Sequence, residues 1–177
     1  MREFIGYHCN EAQVIEATIE NGVYHISEGH SHWLGNGTYF FDESMDGLEH
    51  AQVWGRRMKQ HPRIIKNTIR VNPQTLLDLT DAPTVATTNK LKNRAIKGML
   101  KMAGYTPKDG FVDGVFFNMW NKFFSNRPIH VIRKSEFYQT DIDVELKIRS
   151  RIDNAIVLCV RNQNCIVEPC EEIATVS

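Results

Sequence analysis

Helical periodicity in this chain falls mainly within the first 105 residues, whereas short β-branched and aromatic runs recur from one end to the other. Regular βαβα winding would interleave the two kinds of segment evenly, so the pattern predicts an α+β fold. Strand-like runs cover residues 4–8, 23–26, 37–41, 63–71, 111–117, 129–133, 144–148 and 155–160. The first helix is expected over about residues 11–21. Asn10 and Gln13 make an approximate capping box there, Ala12, Ile15 and Ile19 an apolar face, and Gly22 a left-handed stop. A second helix opens at Ser44, carries Leu48, Ala51, Trp54 and Met58, and ends before Pro62. A third begins at Thr88 or Asn89, buries Leu91, Ala95, Met99 and Leu100, and stops at Gly104.

At 177 residues the chain is read as a single domain, long enough to bury a core without covalent staples. Its 21 Lys+Arg against 21 Asp+Glu exclude a binder that works by overall basicity. The longest apolar runs, such as Ala155-Ile-Val-Leu-Cys-Val160, fall far short of the roughly 20 residues of a membrane span. Met1-Arg-Glu-Phe-Ile-Gly has no long apolar stretch and no small-residue cleavage site, so a cytoplasmic protein without a membrane partner is expected. Cys9, Cys159, Cys165 and Cys170 contain no C-x-x-C pair and read as free thiols. No metal is expected: His30-Ser-His32 offers two ligands, and a closed site needs three or four.

Three local features carry chemistry. Gly6-Tyr-His8-Cys-Asn10 puts a histidine at a strand end just before a helix cap. Trp33-Leu-Gly-Asn-Gly-Thr-Tyr-Phe-Phe41 is a glycine-flexed loop running into an aromatic strand, and the helix after it holds Ala51 and Trp54. In this order they resemble the ADP-ribosyltransferase superfamily, above all small bacterial and phage-type members. Those begin with a Tyr-His-Gly-Thr pattern and continue with Leu-Gly-x-Gly-x-Tyr-Phe. The resemblance extends over Leu77-Asp-Leu-Thr-Asp81, Phe111-Val-Asp-Gly-Val-Phe116 and Cys159-Val-Arg-Asn-Gln-Asn-Cys-Ile166, the last matching the family's final strand.

The resemblance implies a split antiparallel β-sheet with helices packed on the N-terminal half, clasping NAD as a substrate. It assigns His8 to the adenosine ribose, where an imidazole nitrogen can hydrogen-bond a hydroxyl. It sets the Cys9 backbone against the carboxamide and Tyr39 on the nicotinamide ring, whose positive charge suits an aromatic face. Gly35 and Gly37 would let the backbone turn beside the ligand, and Trp33 would line the pocket or pin the loop. Cleaving the glycosidic bond builds positive charge on the ribose, which a nearby carboxylate stabilises.

The chain departs from the family twice. Cys9 stands where relatives have glycine, and Val157 stands where much of the family carries Glu or Gln. Glu145, Asp143 and Asp153 are the carboxylates that could substitute, and Glu145 is chosen because it falls inside the strand-like run 144–148. His8, Tyr39 and Glu145 are therefore the expected catalytic residues.

The resemblance implies mono-ADP-ribosyl transfer to a macromolecular acceptor, protein or nucleic acid, in a toxin, phage effector or phage-defence setting that leaves room for a neutralising partner protein. Lys90, Arg94, Lys97 and Lys101 share one helix face, which serves a solvated surface or guides a phosphate-bearing acceptor. Two alternatives stay open: a catalytically degenerate nucleotide binder, motivated by Val157, and an RNA 2′-phosphotransferase-like enzyme. The second would gather arginines such as Arg133, Arg149 and Arg161 around phosphates.

Overall fold

The computed structural model describes residues 1–29, 32–103, 112–148 and 152–173. Among these residues seven strands form one sheet: β1 Arg2–Glu11, β2 Thr38–Asp42, β3 Pro62–Val71, β4 Leu76–Asp78, β5 Val131–Glu136, β6 Ala155–Val160 and β7 Ile166–Ile173. Their order across the sheet is β4-β5-β6-β2-β1-β3-β7, and every ladder is antiparallel except β4 with β5. Among the described residues five α-helices accompany it: α1 Ala12–Asn21, α2 Gly47–Met58, α3 Ala82–Ala103, α4 Val112–Phe123 and α5 Asp141–Glu145. The α+β class read from the sequence stands.

The join between the two halves of the sheet is narrow. β1 pairs with β3 along its whole length, from Arg2 opposite Val71 to Glu11 opposite Pro62. Against β2 it pairs only at Gly6 with Asp42 and Tyr7 with Phe41. Beyond that point β2 stays with β6, Tyr39 opposite Cys159 and Phe40 opposite Leu158, and the two strands part.

Strand alternation sends apolar side chains to both faces, and each face has its own core. Tyr7, Cys9, Phe41, Ile64, Val157 and Cys159 pack with α2 and α4 on one side. Ile15 of α1 joins Tyr24, Phe40, Ile65, Ile69, Leu158 and Val160 on the other. Gly6 lets β1 close on β2, since a Cβ there would come within 2.8 Å of the Phe40 Cβ.

Several sequence expectations need correction. Of the expected strand 111–117, Phe111 lies outside the described residues and residues 112–117 belong to α4, whose Val115, Phe116, Met119 and Trp120 are buried at helical spacing. Residues 144–148 are not a strand either. Thr140 and Asp143 form a capping box, each side chain binding the other's backbone, and this starts α5. Residues 23–26 run without a ladder, because the Gln163 carboxamide accepts from the Tyr24 N–H and donates to its carbonyl in place of a neighbouring strand.

Helix α3 begins at Ala82 rather than at Thr88, with Asp81 accepting from the Thr84 N–H at 2.9 Å and Pro83 in the first turn. In α1 the expected Gly22 stop is present at φ 65°, but Glu11 occupies the cap position and Ile19 is 44% exposed. Met58 of α2 is likewise exposed. The strand after Cys159 is not the last, because β7 adds a further edge against β3. The expected stop at Gly104 lies outside the described residues. No described helix is long and apolar enough to cross a membrane.

Candidate functional site

Where β1 and β2 separate, the structure holds a cavity of about 740 Å³. His8, Cys9 and Asn10 border it from β1, and Tyr39, Phe40 and Phe41 from β2. Trp54, Met58 and Lys59 close it at the end of α2, while Trp33 and Tyr138 reach in from loops. The size lies within the range of roughly 300–1,000 Å³ usual for small-molecule and cofactor sites.

His8 is the most constrained polar group of this wall. It is 6% exposed, with its ring 5.4 Å from Phe40 and 6.3 Å from Tyr24 between centroids. Its Nδ1 lies 2.8 Å from the Tyr39 carbonyl oxygen. A carbonyl only accepts, so Nδ1 carries the proton and Nε2 presents a lone pair. That Nε2 is buried without a hydrogen-bond partner. Burial holds the imidazole neutral and pushes its pKa down to about 4, against the opposing bond to Tyr39, with His25 and Lys59 adding like charge. An unmet acceptor of this kind costs free energy unless something donates to it.

Tyr39 approaches the cavity from the opposite face of the sheet. Its hydroxyl donates to the Gly35 carbonyl at 2.6 Å and accepts from the Leu34 N–H, so its polar end belongs to the loop and its ring to the wall. Burial raises its pKa well above the ordinary phenol range. Trp33 lies nearly parallel to it, 6.4 Å between centroids, and Tyr138 stands 6.1 Å from Trp33 and 5.0 Å from Phe41. His8 and Tyr39 thus meet the same cavity from two sides without touching ring to ring.

The loop holding Trp33 is tied to α4. The Asn118 side chain accepts from the Asn36 N–H at 2.6 Å and donates to the Asn36 side chain at 2.9 Å. Gly35, at φ 81°, would drive a Cβ into Asn118, and Gly37 would drive one to 2.6 Å from the Cys159 sulfur. Neither glycine borders the cavity. Their role is to let the loop close on α4 and β6, which differs from the expected approach to a ligand.

Cys9 does border the cavity, and its thiol packs on α2: a Cβ on Gly55 would sit 2.6 Å from the Cys9 sulfur. Burial raises that thiol to about 11. Glu145 is exposed at the end of α5 and is not part of the cavity wall, which removes the strand argument that selected it. Asp143 is held in the capping box and Asp153 accepts from the Ser135 hydroxyl. Val157 does line the cavity, so the wall is apolar where a polar side chain was expected. Among the described lining residues the one carboxylate is Glu28, which sequence reasoning missed because nothing in Ser27-Glu-Gly29 distinguishes it from an ordinary loop.

Arg133 is committed elsewhere. It reaches across β6 to Asp42, 2.8 Å away, and also contacts Thr80 and Ser44, with a side chain only 14% exposed. Arg161 is largely buried near Cys159 and Tyr39, and burial lowers its pKa. Neither arginine lines the cavity, and Arg149 lies outside the described residues, as do His30 and Ser31. No family model, curated protein or solved structure matches this chain.

Proposed function

We propose that the cavity binds NAD and that the protein is a mono-ADP-ribosyltransferase acting on a macromolecular acceptor. The observation that carries the reading is the buried, unpartnered His8 Nε2 at the cavity wall, an acceptor suited to a ribose hydroxyl. Trp33, Tyr39 and Tyr138 supply flat aromatic surface for a nicotinamide or adenine ring. Lys59, His25 and His32 bring polar and basic groups within reach of a pyrophosphate. The ordered His8, Leu34-Gly-Asn-Gly-Thr-Tyr39 and Ala51/Trp54 resemblance adds the choice of NAD over other nucleotides.

NAD would supply the glycosidic bond that is broken. In this reading His8 holds one ribose, the aromatic wall orients the leaving ring, and Phe40, Phe41 and Val157 give that part of the wall an apolar lining. Glu28 is then the group able to place a negative charge at the cavity.

A second reading, a nucleotide binder without transfer activity, is favoured by the apolar Val157 in the wall. Incubation with NAD labelled in the adenylate half and a cell extract separates the two. The transferase reading predicts covalent label on a macromolecule, at least tenfold reduced in Glu28→Gln and unchanged in Glu145→Gln. Saturable NAD binding with no label transferred would support the binder, and absence of both would overturn the assignment.

A further inference from the structure

We infer that the exposed face of α3 is a docking track for the phosphate backbone of a nucleic acid. Lys90, Arg94, Lys97 and Lys101 are all exposed on this 22-residue helix. At 3.6 residues per turn they fall within about 60° of one another and span about 16 Å along the axis. The opposite side of the helix, through Leu91, Ala95 and Ile96, packs on the core, so the cationic line is held on a fixed support.

Charge bookkeeping separates this face from an ordinary solvated one. Over the whole chain Lys+Arg and Asp+Glu balance at 21 each, yet no Asp or Glu occurs between Asp81 and Asp109. Among the described residues many cations elsewhere are paired, Arg2 with Asp78, Arg56 and Arg57 with Asp141, Arg63 with Glu172 and Arg70 with Glu3, and those without an acidic partner, such as Lys59, Arg127 and Lys147, are not gathered on one helix face. Lys92, on the flank of α3, is paired with Asp113. The four residues of the stripe have no acidic partner among the described residues.

The face also lacks what other polyanionic partners would need. Among the residues whose side chains are described, the exposed positions flanking it are Ala86, Thr87, Asn93 and Gly98, none of them a large apolar or aromatic side chain. A protein interface draws its energy from buried aromatic or aliphatic anchors, and a membrane surface from an inserted apolar face. A line of unpaired cations without either reads a backbone, independently of sequence. The track begins beside Asn89, which lines a smaller recess of about 290 Å³ that shares Trp33 with the large cavity. Binding along α3 stands independently of the NAD reading; only the step that makes the bound strand the acceptor rests on it.

The test is fluorescence anisotropy with labelled 20-nucleotide single-stranded RNA, single-stranded DNA and a 20-base-pair duplex between 50 and 200 mM KCl. Four neutralised phosphates predict an affinity loss over that range of about 50-fold for single strands and about 150-fold for duplex. The Lys90→Gln, Arg94→Gln, Lys97→Gln, Lys101→Gln protein should lose at least tenfold in affinity at 50 mM and most of the salt dependence, with unchanged Tm. Removing the already paired Arg2, Arg56 and Arg70 should change affinity by no more than about twofold. Salt-insensitive or undetectable binding by the unmodified protein, equal binding by the quadruple variant, or equal affinity for polyglutamate or anionic vesicles would overturn the inference. NAD titration in the quadruple variant reads the cavity separately and should be unaffected.

Discussion

The Nδ1 of His8 lies 2.8 Å from the backbone carbonyl oxygen of Tyr39, across the gap where their strands stop pairing. The imidazole takes a carbonyl that would otherwise be left without a strand partner, and in doing so fixes its own tautomer. One side chain therefore both seals the parting of the sheet and keeps a bare nitrogen lone pair buried in the wall of the cavity.

That arrangement makes stability depend on pH in a defined window. His8 titrates at about 4 in the folded protein and near 6.5 when unfolded. Between these values the unfolded chain binds the extra proton, so stability is complete above about pH 6.5 and falls as the pH drops toward 4. The shift corresponds to about 3 kcal/mol across the window. Urea denaturation of the wild type and His8→Gln from pH 7 to pH 4 should show a steeper loss in the wild type, and parallel curves would contradict the assignment. Imidazole ¹⁵N shifts should report a proton on Nδ1 at pH 7.

Cys9 and Gly55 are predicted to be coupled. A methyl group at position 55 would lie 2.6 Å from the Cys9 sulfur, so Gly55→Ala should cost about 1–3 kcal/mol despite the better helix propensity of alanine. In a Cys9→Ala background the cost should fall to less than half, the remainder coming from the Pro62 Cβ 3.0 Å from the added methyl group. Additive losses in thermal denaturation of the single and double variants would show that the thiol is not what excludes the methyl group.

The Asp42–Arg133 pair should carry much of the link between β2 and β5. The Asp42 side chain is only 3% exposed, and it also accepts from the Ser44 N–H. Asp42→Ala leaves a nearly buried guanidinium with Asp78, 3.5 Å away, as its remaining counter-ion and should cost about 2–3 kcal/mol. An Asp42→Leu/Arg133→Leu protein should lose less than that single variant. A loss below 1 kcal/mol for Asp42→Ala in urea would contradict this ranking.

Asn118 should control the Trp33 loop without controlling His8. Asn118→Ala removes both bonds to Asn36, so hydrogen exchange at the Asn36 amide should accelerate at least tenfold. The His8 tautomer and its low pKa should be unchanged. Retained protection of Asn36 would show that packing of Gly35 against α4, rather than the amide pair, holds the loop.

Much of the fold was legible where local chemistry and tertiary packing agree. The β-branched run of β3, the apolar run of β6 and the Gly22 stop of α1 each state their own structure. The sequence misled where a single window served two periods. Phe111-Val-Asp-Gly-Val-Phe-Phe117 is rich in strand formers, and only its continuation through Met119 and Trp120 reveals the helix. The strand-like run 144–148 misled because the capping box that starts α5, Thr140 with Asp143, lies just ahead of it. Tyr24 could not be read locally, since its backbone is satisfied by Gln163 from far along the chain. At the site, His8, Cys9, Trp33, Tyr39 and Trp54 of the ordered motifs all border the cavity and Gly35 and Gly37 do not, whereas Glu28 and Tyr138 join it through tertiary proximity alone.

The most direct test of the central claim is a titration of NAD into the protein while the His8 imidazole ¹⁵N signals are followed. The account predicts saturable binding, a shift at Nε2 as it accepts a hydrogen bond, an unchanged proton on Nδ1, and at least tenfold weaker affinity in His8→Ala. Absence of saturable binding, or an affinity that His8→Ala leaves untouched, would contradict it.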